Sequence, residues 1–160
     1  MPFHNFKILV ILCICIPVWS CHKKQSEDQI TSERTALLLG SWKLVSMTSD
    51  KPFDWDNNGT IETDYYSTLT TCEKDKLITF STPSQGLHKL ACNESKDFNW
   101  ELKERGAYID IHYPLTGTNT WAGSTSWNIV TISNSLLKLK WNIPSPINTL
   151  TSFEAIFQKQ

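Results

Sequence analysis

From residue 41 to residue 158 the chain alternates apolar and polar positions with a period of two, broken by short stretches rich in Gly, Asn, Asp and Ser. Such alternation marks half-buried β-strands. Eight segments carry it: "SWKLVSMT", "KLITFST", "GLHKLAC", "DFNWELK", "AYIDIHY", "STSWNIVTIS", "LLKLKWN" and "TLTSFEAIFQ". In the fourth, Phe98, Trp100 and Leu102 share one face, and Asn99, Glu101 and Lys103 share the other. In the seventh, Leu137, Leu139 and Trp141 oppose Lys138 and Lys140. Breaks such as "KERGA" and "SNS" suit antiparallel hairpins better than crossover helices. Eight short strands with one apolar face each are best satisfied by an all-β antiparallel meander closed into a barrel, which removes edges and encloses a core or a small ligand. An open sandwich is the competing architecture.

Two segments stand outside this rhythm. "TSERTALLLG" reads as a short helix with Thr31 or Ser32 as its cap and Gly40 at its end. The polar stretch "SDKPFDWDNNGTIETDYY" reads as a long loop with a helical turn, running up to Cys72.

The N-terminus has a different character. His4 and Lys7 precede the apolar run Ile8 to Val18, and the small residue Ser20 stands before Cys21, the pattern of an export signal. The run is shorter than the roughly 20 apolar residues of a membrane span. "VWSC" resembles the lipobox of bacterial lipoproteins, with Trp19 bulkier than the usual occupant of its position. That resemblance implies cleavage after Ser20 and acyl chains on Cys21, and two or more chains hold a protein on a membrane where one does not. The expected organisation is a signal peptide over 1–20, a lipidated tether over 21–34 and one domain over 35–160. The location that follows is the bacterial cell envelope, with the chain lipid-anchored at the outer membrane on either its periplasmic or its surface face.

Composition narrows the functional classes. A net charge of -1 over 160 residues gives no sign of a nucleic-acid binder, which calls for a basic stripe. Seven Trp and seven Phe against six Gly predict a core rich in aromatic rings. Cys13 and Cys15 leave with the signal and Cys21 takes lipid, so the domain keeps Cys72 and Cys92. An even pair in an exported protein reads as one disulfide, with two buried thiols as the alternative. Closing a loop of that length stabilises a fold by about 3 kcal/mol in the chain-entropy account.

"LLLGSWKLVS" resembles the Gly-x-Trp signature of lipocalins, carried here by Gly40 and Trp42 after a short helix. The wider layout is similar to lipocalin-like lipoproteins of Bacteroidota: a Gly-x-Trp start, an Asp/Asn/Gly-rich loop, "CEKDKLITF", a second cysteine, a Trp-containing strand and a C-terminal aromatic strand. The resemblance spans residues 35 to 158. It implies an eight-stranded lipocalin-like barrel with Trp42 plugging one end.

Candidate chemistry is sparse. In "DWDNNGTIETDY", Asp54, Asp56, Asn58, Gly59 and Thr60 fill the first positions of a calcium loop, where alternate oxygens and a sharp Gly turn wrap a hard cation. The closing position, normally a bidentate Glu, is Tyr65, with Glu62 and Asp64 as substitutes. The expected cation is a weakly held structural calcium, and the competing reading is a solvated loop of turn-forming residues. No other cofactor is expected. Asp110 and His112 share a strand face but point away from Ile109, Ile111 and Tyr113, and His88 stands alone on its strand. No nucleophile and base can be paired and no phosphate loop is present, so an enzyme is not expected. Two functions remain. In one, the barrel binds a small apolar ligand with Phe80, Trp100, Trp127 and Trp141 as wall residues and "PLTGTNTWAGSTS" at the mouth. In the other, the interior is filled by its own aromatics and the protein is a non-catalytic interaction module of the envelope.

Overall fold

The computed structural model describes residues 26–91, 94–114, 121–144 and 150–160. The expected export signal, Cys21, Cys92 and residues 115–120 of the expected mouth loop lie outside the described residues, and the rest of that loop, 121–126, belongs to a strand.

All eight expected strands form: β1 (Gly40–Ser49), β2 (Leu77–Thr82), β3 (Gln85–Ala91), β4 (Glu94–Lys103), β5 (Tyr108–Pro114), β6 (Trp121–Ile132), β7 (Leu136–Pro144) and β8 (Leu150–Lys159). Each pairs antiparallel with its neighbours in sequence, and β8 returns to β1 with Trp42 opposite Lys159 and Ser49 opposite Phe153. The sheet is a closed barrel, and no sandwich forms. Closure leaves no unpaired strand edge. The register keeps the expected faces: Ile78, Phe80, Phe98, Trp100, Ile109, Ile111, Leu137 and Leu139 are all buried. On the outer face, cross-strand pairs such as Lys138 and Glu154, 2.7 Å apart, stay half-exposed.

The helix differs from its expected limits. Helix α1 spans Glu27–Leu38, so it begins within the segment read as a tether, and its cap is Ser26 rather than Thr31 or Ser32. Ser26 Oγ accepts from the Gln29 backbone N–H at 3.2 Å, and Glu27 and Asp28 lie in the first turn, where negative charge favours the helix N-terminus. Thr31 is instead inside the helix, its hydroxyl donating back to the Glu27 carbonyl. Gly40 opens β1 rather than ending the helix, with φ at +118°, a region that strongly favours glycine. A second helical turn, α2 (Tyr65–Thr68), and a 3-10 turn at Glu73–Asp75 fill the route from the long loop to β2.

Helix α1 covers one end of the barrel. The start of β1, the β2–β3 turn, the β4–β5 turn and the β6–β7 turn all lie at this end. Arg34 donates to the Gly106 carbonyl at 2.8 Å, tying the helix to the β4–β5 turn. Trp42 is fully buried beneath it, and its indole N–H donates to the Leu38 carbonyl at 2.7 Å. Lys159 donates to the Leu37 carbonyl at 3.0 Å while its ammonium sits 5.0 Å from the Trp42 ring centroid. One cation thus serves the helix C-terminus and a ring face together. Strand β1 ends and β2 begins at the other end, joined by the long loop, and β3, β5 and β7 end and β4, β6 and β8 begin there too.

Candidate functional site

The barrel interior divides into two halves with different packing. At the helix-covered end, Phe80 and Trp100 meet edge-on with ring centroids 5.1 Å apart, and Phe80 meets Phe98 the same way at 5.6 Å. The Trp100 indole N–H donates to the Thr82 and Gln85 carbonyls of the β2–β3 turn at 3.0 and 3.2 Å. Phe98 lies across Gly86 of the neighbouring strand, a position with no room for a Cβ. Phe80, Phe98 and Trp100 are at most 2% exposed, so this half is filled by its own side chains.

Eight antiparallel strands in sequence order close β8 on β1, and a helix and a buried tryptophan of a Gly-x-Trp pair seal one end. The fold is that of a lipocalin-like barrel.

The open half of the lipocalin-like barrel carries a chain of rings instead. Trp127 lies 5.6 Å from Trp141, and Trp141 stacks on Phe153 at 6.0 Å. Of the four expected wall residues, the structure therefore pairs Trp127 with Trp141 here and Phe80 with Trp100 at the sealed end. The long loop folds back over this belt: Trp55 and Tyr65 both meet Phe153 edge-on, at 5.1 and 5.7 Å, and Trp55 donates its indole N–H to the Glu62 carbonyl. Trp55, Tyr65 and Phe153 are not among the residues expected at the site. The signal for them is four aromatic residues, Phe53, Trp55, Tyr65 and Tyr66, in a largely polar loop.

His88 is not alone. Its Nδ1 is 2.8 Å from the Tyr113 hydroxyl, and its ring meets Trp127 of β6 edge-on at 6.4 Å. Strands β3 and β6 are not neighbours, so this contact runs through the barrel interior. Burial, reinforced by the nearby Lys76 and Lys96 charges, lowers the His88 pKa to about 4. Burial raises Tyr113 to about 12. Both groups are therefore neutral near pH 7.

The Asp/Asn loop brings three carboxylates together. Asp54, Asp56 and Glu62 each present an oxygen within 4.8 Å of the others. Asp54 also accepts from the Asn58 and Gly59 backbone N–H groups at 3.0 and 2.9 Å, and the Asn58 side-chain oxygen accepts from Thr60 N–H at 2.7 Å. Glu62 Oε2 is buried with no hydrogen-bond partner. Asp64 does not join the three; it caps α2 by accepting from Ser67 N–H at 3.2 Å. Of the two expected substitutes, Glu62 is the one that joins, because the Phe53–Glu62 bridge folds it back onto the start of the loop.

A second polar cluster, Glu101, Asp110 and His112, sits on the outer face of β4 and β5. Lys103 pairs with Glu101 at 2.7 Å, and Ser126 donates to Asp110. As expected, Asp110 and His112 oppose the buried Ile109 and Ile111. Cys72 lies just ahead of the 3-10 turn, and its expected partner Cys92 is outside the described residues.

No protein-family model matches this chain, and no curated protein matches it. Among solved structures, a lipocalin-like protein from Bacteroides uniformis is similar over 78% of this chain and 99% of its own, at 18% identity and a TM-score of 0.45. Lobster apocrustacyanin A1 is similar over 85% of this chain and 69% of its own, at 14% identity and a TM-score of 0.46. Bovine odorant binding protein, in complex with a selenium-containing odorant, is similar over 79% and 72% at 14% identity and a TM-score of 0.43. The assignment of the fold rests on the strand order and closure described above.

Proposed function

We propose that this chain is a non-catalytic, lipid-anchored lipoprotein of the bacterial envelope whose lipocalin-like barrel binds a small apolar ligand in its open half. The observation that carries the reading is the contrast between the two halves. The sealed half is filled by its own side chains, whereas Trp141, Tyr113 and His88 in the open half keep part of their surface accessible while facing inward. An apolar wall with a few placed polar groups is the usual lining of a small-molecule site. Trp127 and Trp141 are its wall, while Phe80 and Trp100 form its floor.

The anchor is Cys21, supported by the apolar run and lipobox-like "VWSC" before it. Cys72 and Cys92 form the disulfide of the exported domain. The register supports it: Leu77 pairs with Lys89, so β2 begins at the end of the sheet where β3 finishes. A calcium ion on Asp54, Asp56 and Glu62, with Asn58 and Thr60 shaping the turn, pins the loop that carries Trp55 over the mouth. The buried, unpartnered Glu62 oxygen favours that reading over a merely solvated loop.

One observation favours the self-filled alternative, an interaction module. Trp55 and Tyr65 already cover Phe153, which is 1% exposed. Native mass spectrometry of the full chain in detergent separates the two. A mass excess of a few hundred daltons that is lost on denaturation supports the ligand reading, and a native mass equal to the denatured, lipidated mass supports the self-filled one.

A further inference from the structure

Among the described residues the buried walls of the barrel are mostly hydrocarbon and aromatic rings; Ser49 and Thr151 are the buried polar residues near the open rim, and deeper in, His88 and Tyr113 form a hydrogen-bonded polar pair. His88 reaches from β3 and Tyr113 from β5, and they meet on the inner side of β4, where Tyr113 also contacts the Phe98 ring at 6.2 Å. From this pair a continuous line of rings runs through Trp127 and Trp141 to Phe153. Both members are half-buried, so they can be reached from the open half.

The hydrogen-bond inventory of the pair is uneven. If the Tyr113 hydroxyl donates to Nδ1, the proton of the neutral imidazole lies on Nε2. If Nδ1–H donates to the phenol oxygen, the phenol keeps its own proton to give. Either way one N–H or O–H donor remains, together with at least one acceptor, and among the described residues neither side chain has a second hydrogen bond. A donor left this way inside apolar walls is best satisfied by a polar atom brought in by a ligand. Burial first, and the Lys76 and Lys96 charges second, keep the imidazole neutral, so the pair itself presents no cation, and Lys96 is already paired with Glu94 at 3.3 Å. An anionic head group would have to leave water to meet two neutral partners, which is unfavourable.

We propose that the ligand is an apolar molecule with one uncharged oxygen head group, a hydroxyl or carbonyl, which hydrogen-bonds to the His88–Tyr113 pair while its hydrocarbon part lies along Trp127 and Trp141. This inference rests on the ligand-binding reading above and adds the chemistry of the head group. It sets a polarity along the pocket: head toward β3 and β5, tail toward β7 and β8.

The test uses the chain from residue 21 onward with Cys21→Ser, which retains every described residue, at pH 7.5. N-phenyl-1-naphthylamine fluorescence reports the pocket, and 1-decanol and decanoate compete for it. The expected result is saturable dye binding, with decanol displacing the dye at a concentration at least about tenfold lower than decanoate. In Tyr113→Phe and in His88→Leu the decanol-over-decanoate preference shrinks by about tenfold. A packing defect alone weakens both competitors alike, since they share the chain and differ only in the head. Tyr113→Phe removes a single oxygen and so guards against loss of the fold. Saturable dye binding with the preference unchanged in both variants, or with decanoate the tighter competitor, overturns the head-group assignment alone. Absence of saturable dye binding in the parent chain overturns the ligand reading and this inference together.

Discussion

Gly86 is the point where one missing carbon sets the packing of the sealed half. It faces inward on β3, and the Phe98 ring of β4 lies over it. A Cβ there would stand 2.2 Å from Phe98 Cζ, 2.6 Å from Phe98 Cε2 and 2.6 Å from the Thr79 carbonyl oxygen. The ring has nowhere to retreat, because Phe80 and Tyr113 pack against it at 5.6 and 6.2 Å. The carbonyl belongs to the paired strand and moves only with the sheet. Overpacking of a core costs about 1–3 kcal/mol, and a clash with backbone belongs at the upper end. Gly86→Ala should therefore lose about 3 kcal/mol, or roughly 10 °C in Tm for a domain of this size. Urea unfolding followed by tryptophan fluorescence measures it. The same experiment on Phe98→Leu, alone and combined with Gly86→Ala, closes a double-mutant cycle. Relief of the ring clash should make Phe98→Leu cost at least about 1 kcal/mol less in the Gly86→Ala background than in the parent. A loss under about 0.5 kcal/mol for Gly86→Ala, or strict additivity of the two changes, would refute this account of the sealed half.

Other consequences are equally open to measurement. Trp42→Phe keeps most of the ring but strips the Leu38 carbonyl of its donor, and should cost about 1–3 kcal/mol in the same urea assay; an unchanged midpoint would mean that the indole N–H does not secure the helix. The His88 pKa of about 4 lies below its unfolded value of 6.5, so the unfolded chain binds more protons between them and stability falls as pH drops through that window. Between about pH 6.5 and 5, above the range of ordinary carboxylates, this amounts to about 1.5 kcal/mol. Comparing unfolding curves of the parent and His88→Leu at both values isolates the effect, which should vanish in the variant. Calcium at about ten times a weak dissociation constant should stabilise the fold by about 1.4 kcal/mol. Glu62→Gln should abolish that gain, and equal Tm values with calcium and with chelator in the parent chain would count against the cation.

The strands and their faces were legible because each needs only a period of two and a turn signal, and both are local. Phe98, Trp100, Leu137 and Leu139 sit where alternation put them. Closure was legible only by inference from strand number, since no single residue encodes the β8–β1 pairing. The start of α1 was harder: Ser26, Thr31 and Ser32 are all competent caps, and the choice is made by Arg34 docking on Gly106, a contact 72 residues apart in sequence. The candidate site was the least legible part. Trp127 and Trp141 could be named as inward rings, but which half of the barrel they occupy depends on register across several strands. His88 looked solitary because Tyr113 is 25 residues away and lies on the far side of β4. The loop carboxylates were visible as a motif, whereas the choice of Glu62 over Asp64 depends on the bridge between Phe53 and Glu62.

The most direct test of a ligand site confined to the open half is an NMR titration of the chain from residue 21 onward carrying Cys21→Ser, labelled with nitrogen-15 at the tryptophan indoles, against 1-decanol. Trp127 and Trp141 belong to the open half, and Trp42 and Trp100 are buried at the sealed end with their N–H groups bonded to protein carbonyls. The account predicts saturable shifts of the Trp127 and Trp141 indole signals while those of Trp42 and Trp100 stay in place. No saturable shift at any of these indoles, or shifts at Trp42 and Trp100 as large as those at Trp127 and Trp141, would contradict it.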